Sequence, residues 1–176
     1  MVAAGRRDFL RQFPTIADGD NSKLLATPHD RAVFEGCRLE STERNTGAPL
    51  YRLHSDLLRI RRTDATLHNP SGIDGAVLSP DAFLIRFFGP AGGDRLLIVN
   101  LGVETLLRCA PEPLLAPLED QGWRIQWSSE ATAYGGHGSA PLETTEGWRL
   151  PGRAAVLLEP DPHHEPFRVG TTLAPN

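Results

Sequence analysis

The stretch AFLIRFFGPAGGDRLLIVNLG, residues 82–102, constrains the fold more than any other. Phe83, Ile85 and Phe87 alternate with Leu84 and Arg86, the two-residue period of a β-strand. Gly89, Pro90, Gly92, Gly93 and Asp94 then interrupt the pattern, and such residues supply the backbone angles that turns need. Residues 96–99 are apolar on both faces, which predicts a central strand covered on both sides. Strands over 82–88 and 95–101 are therefore expected to pair as an antiparallel hairpin inside a β-domain.

The rest of the chain arranges itself around that hairpin. Residues 1–13 carry a short helical pattern, with Phe9, Leu10 and Phe13 on one side, and Pro14 is expected to end it. The pattern over 15–47 is weak: a loop over 18–22, then one helical turn over 30–35 with Asp30 as its cap. Residues 49–62 read as the best helix. Leu50, Leu53, His54, Leu57 and Leu58 form its apolar stripe, and Arg59, Arg61 and Arg62 oppose the negative end of its dipole. Strands follow at 76–78, in the hairpin, and at 103–108 as a third partner of it. Pro111, Pro113 and Pro117 mark a loop. Residues 122–127 alternate, which predicts Trp123, Ile125 and Trp127 on one face. The last strands read at 148–150 and 154–159, before a polar, proline-rich tail.

Composition narrows the function classes. The chain has 176 residues, 40% of them hydrophobic, which suits one domain or one domain with a structured extension. Its 15 prolines and 17 glycines predict many turns and few long helices. A formal net charge of −4 weighs against nucleic acid or an anionic membrane as partner. Cys37 and Cys109 form no CxxC pair, so no redox or metal motif is read. No apolar h-region opens the chain and no run approaches the roughly 20 residues of a membrane span. A soluble cytoplasmic protein is expected.

No residue pattern commits to a chemistry. Glu112, Glu119, Asp120, Glu130, Glu143 and Glu146 are scattered, and acid–base work needs two carboxylates held across a cleft. His163, His164 and Glu165 adjoin one another in the tail, which is a poor way to converge on a metal. His137 sits in a glycine-rich loop with no nucleophile at a recognisable spacing. The tryptophans at 123, 127 and 148 read as core before they read as sugar-stacking surfaces. GlyGlyHisGly at 135–138 lacks the context of a phosphate-binding loop.

Four stretches gain meaning together: GRRDFLRQFP at 5–14, LYRLHSDLLRIRRTD at 50–64, WSSEATAYGGHG at 127–138 and GWRLPGRAAVLLEP at 147–160. Their order and spacing resemble the C-terminal region of the malto-oligosyltrehalose trehalohydrolases, in the α-amylase superfamily (glycoside hydrolase family 13). The YGG segment is also similar to one in glycogen-branching enzymes, whereas WSSE and GWRLPG favour the trehalohydrolases. The resemblance implies that residues 5–48 are the loop after the last strand of a catalytic (β/α)₈ barrel and 49–62 its final helix. The hairpin would then open the C-terminal antiparallel β-domain, of sandwich type. The expected division is 1–63 barrel end, 64–160 β-domain and 161–176 tail.

The same resemblance places the family's catalytic carboxylates on barrel strands upstream of the matching region. A barrel takes roughly 250 residues and carries its active site at the C-terminal ends of its strands. No catalytic residue, no named substrate-binding residue, no metal ligand and no cofactor carries over. The expected function is the non-catalytic C-terminal portion of a trehalohydrolase-like glycoside hydrolase. The family reaction hydrolyses the α-1,4 bond that releases trehalose from maltooligosyl trehalose, a step of trehalose biosynthesis. Two alternatives stay open: a stand-alone α-glucan-binding or regulatory β-module, and the C-terminal domain of a branching-like enzyme. The partners in view are a separately encoded catalytic barrel and an α-glucan. For the 49–62 helix, part of its leucine stripe is expected to reach the sheet, with the rest, and Phe9, Leu10 and Phe13, left under-covered.

Overall fold

The alternation at 82–88 and the apolar run after it fold as two paired strands. In the computed structural model, which describes residues 2–17, 30–118 and 121–163, β1 (Gly72–Ser79), β2 (Ala82–Phe88) and β3 (Arg95–Asn100) form an antiparallel meander. Phe83 lies opposite Val99 and Ile85 opposite Leu97. The faces divide unevenly. Ala82, Leu84 and Arg86 turn to the more deeply buried side, and Phe83, Ile85 and Phe87 to a half-buried one.

The third partner of the hairpin is not the neighbouring stretch. β4 (Thr105–Leu107) leaves the sheet and pairs with β7 (Gly147–Leu150), which in turn pairs with β6 (Glu143–Thr144). Buried Asn100 turns this corner. Its amide NH₂ donates to the Val103 carbonyl at 2.8 Å, and its oxygen accepts from the Gly102 N–H at 3.0 Å. The place beside β3 goes to β8 (Ala154–Asp161), and β5 (Gly122–Ser128) pairs on β8's far side. The result is a five-stranded sheet, order β1-β2-β3-β8-β5, and a three-stranded sheet, order β4-β7-β6, all antiparallel. The expected antiparallel β-domain is present. Its main core lies on the inner face of the larger sheet: Leu84, Leu96, Ile98, Val156 and Leu158 pack with Leu150 of the smaller sheet and with Leu115 and Leu142.

The expectation for the tryptophans is overturned by a β-bulge. Ile125 faces Leu158, but Trp127 faces Leu157, so an extra residue enters at Gln126 and reverses the alternation. Trp123 and Ile125 pack on the inner core, whereas Trp127 joins Ile60 and Leu157 on the outer face.

The chain divides into two compact units, Met1–Thr46 and Gly47–Asn176. In the first, α1 (Val2–Leu10) is followed by α2 (Pro14–Ala17), α3 (Arg31–Gly36) and α4 (Glu43–Thr46). Pro14 thus opens a second short helix, where a first-turn proline is tolerated. Asp30 caps α3 as expected, accepting from the Ala32 N–H at 2.9 Å. The loop expected at 18–22 lies outside the described residues. Among the described residues of this unit none is buried; Phe9 is 61% and Phe34 71% exposed. In the second unit, α5 (Ala48–Thr63) and α6 (Ala65–His68) precede the strands.

Candidate functional site

The expected helix at 49–62 is present as α5, with Pro49 in its first turn and Arg61 and Arg62 in its last. The side it turns to the sheet is only partly the leucine stripe. Leu53 is half-buried and Ile60 is the helix's one buried residue, whereas Leu50 is 62% and Leu58 54% exposed. Leu53, Asp56 and Ile60 share a face by their spacing of three and four. A carboxylate therefore sits in the middle of the packing surface. Ile60 and part of Leu53 contribute about 3 kcal/mol of apolar burial against Trp127, Leu157 and Leu97. That is little for ordering sixteen residues of helix.

Polar contacts complete the attachment. Tyr134, in the turn Thr132–Tyr134, donates its hydroxyl to Asp56 at 2.8 Å and accepts from the Trp127 indole N–H at 3.1 Å. Arg59 lies 3.3 Å and Arg52 3.8 Å from the same carboxylate. The Tyr134 hydrogen bond, with Arg59 beside it, holds the Asp56 carboxyl below the usual carboxylate range. Burial, and the bond to Asp56, push the Tyr134 phenol up. At the end of α5, Asp64 accepts from Arg95 at 2.7 Å, from Gln126 at 3.0 Å and from the Leu67 N–H at 3.0 Å. Burial alone would raise its pKa; the bonds from Gln126, Leu67 and Arg95 outweigh this and lower it. Asp64 thus ends α5 with its backbone N–H, which donates to the Ile60 carbonyl, and caps α6 with its side chain.

Beside Tyr134 lies a groove of about 350 Å³ walled by Arg59, Ile60, Gln126, Trp127, Ser128 and Ser139, among others. This is at the small end of ligand-site volumes. Its rim is the 128–139 loop, closed by a hydrogen bond between the Ser139 and Ser128 hydroxyls and by the Gly138 N–H donating to the Glu130 carbonyl at 2.7 Å. Gly136 is needed there, since a Cβ would overlap the Glu130 backbone. The walls offer hydroxyl, amide, guanidinium and aromatic groups. Gln126 Oε1 is buried and accepts no hydrogen bond.

The residues weighed from sequence fall elsewhere. Glu112 caps a short turn, accepting from the Leu114 N–H at 3.0 Å. Glu130 lies 3.9 Å from His137, whose side chain is 98% exposed. Glu143 is on β6, and Glu146 is exposed. Trp123 donates to the Leu115 carbonyl at 2.8 Å under the Arg86 guanidinium, and Trp148 packs on the inner core. Cys37 and Cys109 are free and exposed. His163 is exposed; Glu119, Asp120, His164 and Glu165 lie outside the described residues. Among the described residues no three His, Cys, Asp or Glu side chains cluster as metal ligands would, and no helix is long and apolar enough to cross a membrane. Asp56, Asp64, Tyr134, Arg95 and Gln126 were not singled out by sequence reasoning. The available signal was Asp56 itself, a carboxylate spaced with Leu53 and Ile60.

A family model described as a domain of unknown function, DUF3459, matches residues 70–157, from before β1 into β8, and the chain belongs to that family. It is a domain found at the C-termini of α-amylase-family enzymes. No curated protein matches the chain.

Proposed function

We propose that this chain is the non-catalytic C-terminal portion of a trehalohydrolase-like glycoside hydrolase, acting with that enzyme's catalytic barrel. On this reading, residues 1–63 correspond to the end of the barrel, 64–160 to the accessory β-domain and 161–176 to its tail, and the protein works in the cytoplasm. The observation that carries the proposal is α5: one side is bonded to the β-domain while Leu50, Leu57 and Leu58 remain exposed on the other. An apolar helix side open to water marks a surface that a partner covers. The WSSE and GWRLPG segments favour the trehalohydrolases over branching enzymes.

The test pairs the purified chain with a trehalohydrolase barrel expressed without its own C-terminal domain. The chain alone should release no trehalose from maltooligosyl trehalose above a matched blank. Together, the two should show a higher melting temperature for the barrel, and a branching-enzyme barrel should gain less. Trehalose release by the chain alone, or no gain for either barrel, overturns the proposal. A second reading, α-glucan binding, is favoured by the groove beside Tyr134, with its aromatic and hydroxyl walls. Retention on amylose that is lost in Ser128→Leu would support it.

A further inference from the structure

We propose that α5 is a latched arm, pivoting at Asp64 and held on the outer sheet face by the Asp56–Tyr134 contact. The two attachments differ in kind. The pivot is buried: the Asp64 side chain is 4% exposed and is gripped by Arg95 from β3 and Gln126 from β5. Next to it, the Thr66 hydroxyl donates to the Gly93 carbonyl at 2.6 Å, which pins α6 to the β2–β3 turn. The latch lies about two helical turns back. There the Asp56 side chain is 25% exposed and accepts a single hydrogen bond from the β-domain, that of Tyr134. Its other partners, Arg52 and Arg59, belong to α5 and would travel with it. Between pivot and latch only Ile60 is buried. The Asp64 backbone is extended, so the helix ends there, its last bond being that of the Asp64 N–H to the Ile60 carbonyl at 2.9 Å. Opening would bare Trp127, Leu97 and Leu157 and free both sides of α5, while leaving the main core on the opposite sheet face untouched.

Local openings of this kind are read by native-state amide exchange. In the full chain at neutral pH, α5 amides are expected to exchange faster than those of β3 and β8, with α6 protected. Tyr134→Phe removes the latch hydroxyl and keeps the ring. It should speed exchange in α5 about tenfold, the worth of one hydrogen bond, and leave β3 and β8 unchanged. Asp56→Asn, tested in parallel, should do the same to a smaller degree, since its amide oxygen still accepts. The proposal is overturned if α5 exchanges at the rate of β3 and β8 in the unaltered chain. It is equally overturned if Tyr134→Phe leaves α5 unchanged, or if it speeds helix and sheet alike.

Discussion

The two faces of the five-stranded sheet are held by different physics. On the inner face, charge has been sealed into the core. Arg86 is 6% exposed, bonds Asp94 at 2.9 Å and donates to the Ala116 carbonyl at 2.6 Å, with its guanidinium over the rings of Phe88 and Trp123. On the outer face only the helix end is held by a buried charge, Asp64 with Arg95, while the Asp56 carboxylate farther along stays nearer water and fastens a helix with little apolar contact. The inner arrangement ties the two sheets together through one core, and the outer one is the attachment we propose to be detachable. A buried pair is costly to break because its surviving partner is left uncompensated, whereas an exposed pair loses little.

The comparison breaks first at Arg86. Arg86→Ala should lower unfolding free energy by about 3–5 kcal/mol, read as the urea midpoint of the sheet's circular dichroism, because Asp94 is left buried and unpaired. Ile98→Ala should follow at about 2–5 kcal/mol, by loss of burial and a residual cavity. A loss below about 1 kcal/mol for either would show that the inner face is not the domain's main support. Acid sharpens the contrast. Asp64 has a folded pKa below its ordinary value, so its contribution is present above the unfolded pKa and is lost as pH falls through the folded one. Melting temperatures of the unaltered chain and Asp64→Asn should therefore differ at about pH 6, and the difference should shrink as the pH falls below the ordinary carboxylate value of 3.8. The smallest effect belongs to the open side of α5. Leu58→Glu should stay within about 0.5 kcal/mol in the isolated chain, and a larger loss would show that this surface is already covered.

What could be read from residues followed locality. The hairpin was legible because Phe83, Ile85 and Phe87 alternate and Gly89 to Asp94 interrupt. β8 beside β3 was not, because that pairing joins residues far apart and leaves no local period. Val103 to Arg108 looked like the hairpin's partner by adjacency, yet Asn100 redirects the chain into the other sheet. Trp127 was misplaced because one extra residue at a bulge reverses every later side chain, and alternation read from sequence cannot see it. For α5, hydrophobicity pointed to Leu50, Leu53, His54, Leu57 and Leu58, whereas packing kept Leu53 and added Asp56 and Ile60. A stripe several residues wide does not say which of its edges meets the sheet. The groove and its Asp56–Tyr134 link join residues from distant segments, and no spacing rule brings them together.

The position of β8 sets an order of assembly. β1, β2 and β3 leave the ribosome first and can form their meander at once. β3 then presents an open edge of backbone N–H and C=O groups until residues 154–161 emerge, and β5 has no sheet to join before them. A nascent chain halted before residue 154 therefore carries a completed hairpin with an unpaired strand edge, the kind of template on which neighbouring chains pair. Ribosome-bound chains of increasing length should stay protease-sensitive at β5 until β8 has cleared the exit tunnel, and then become resistant in one step.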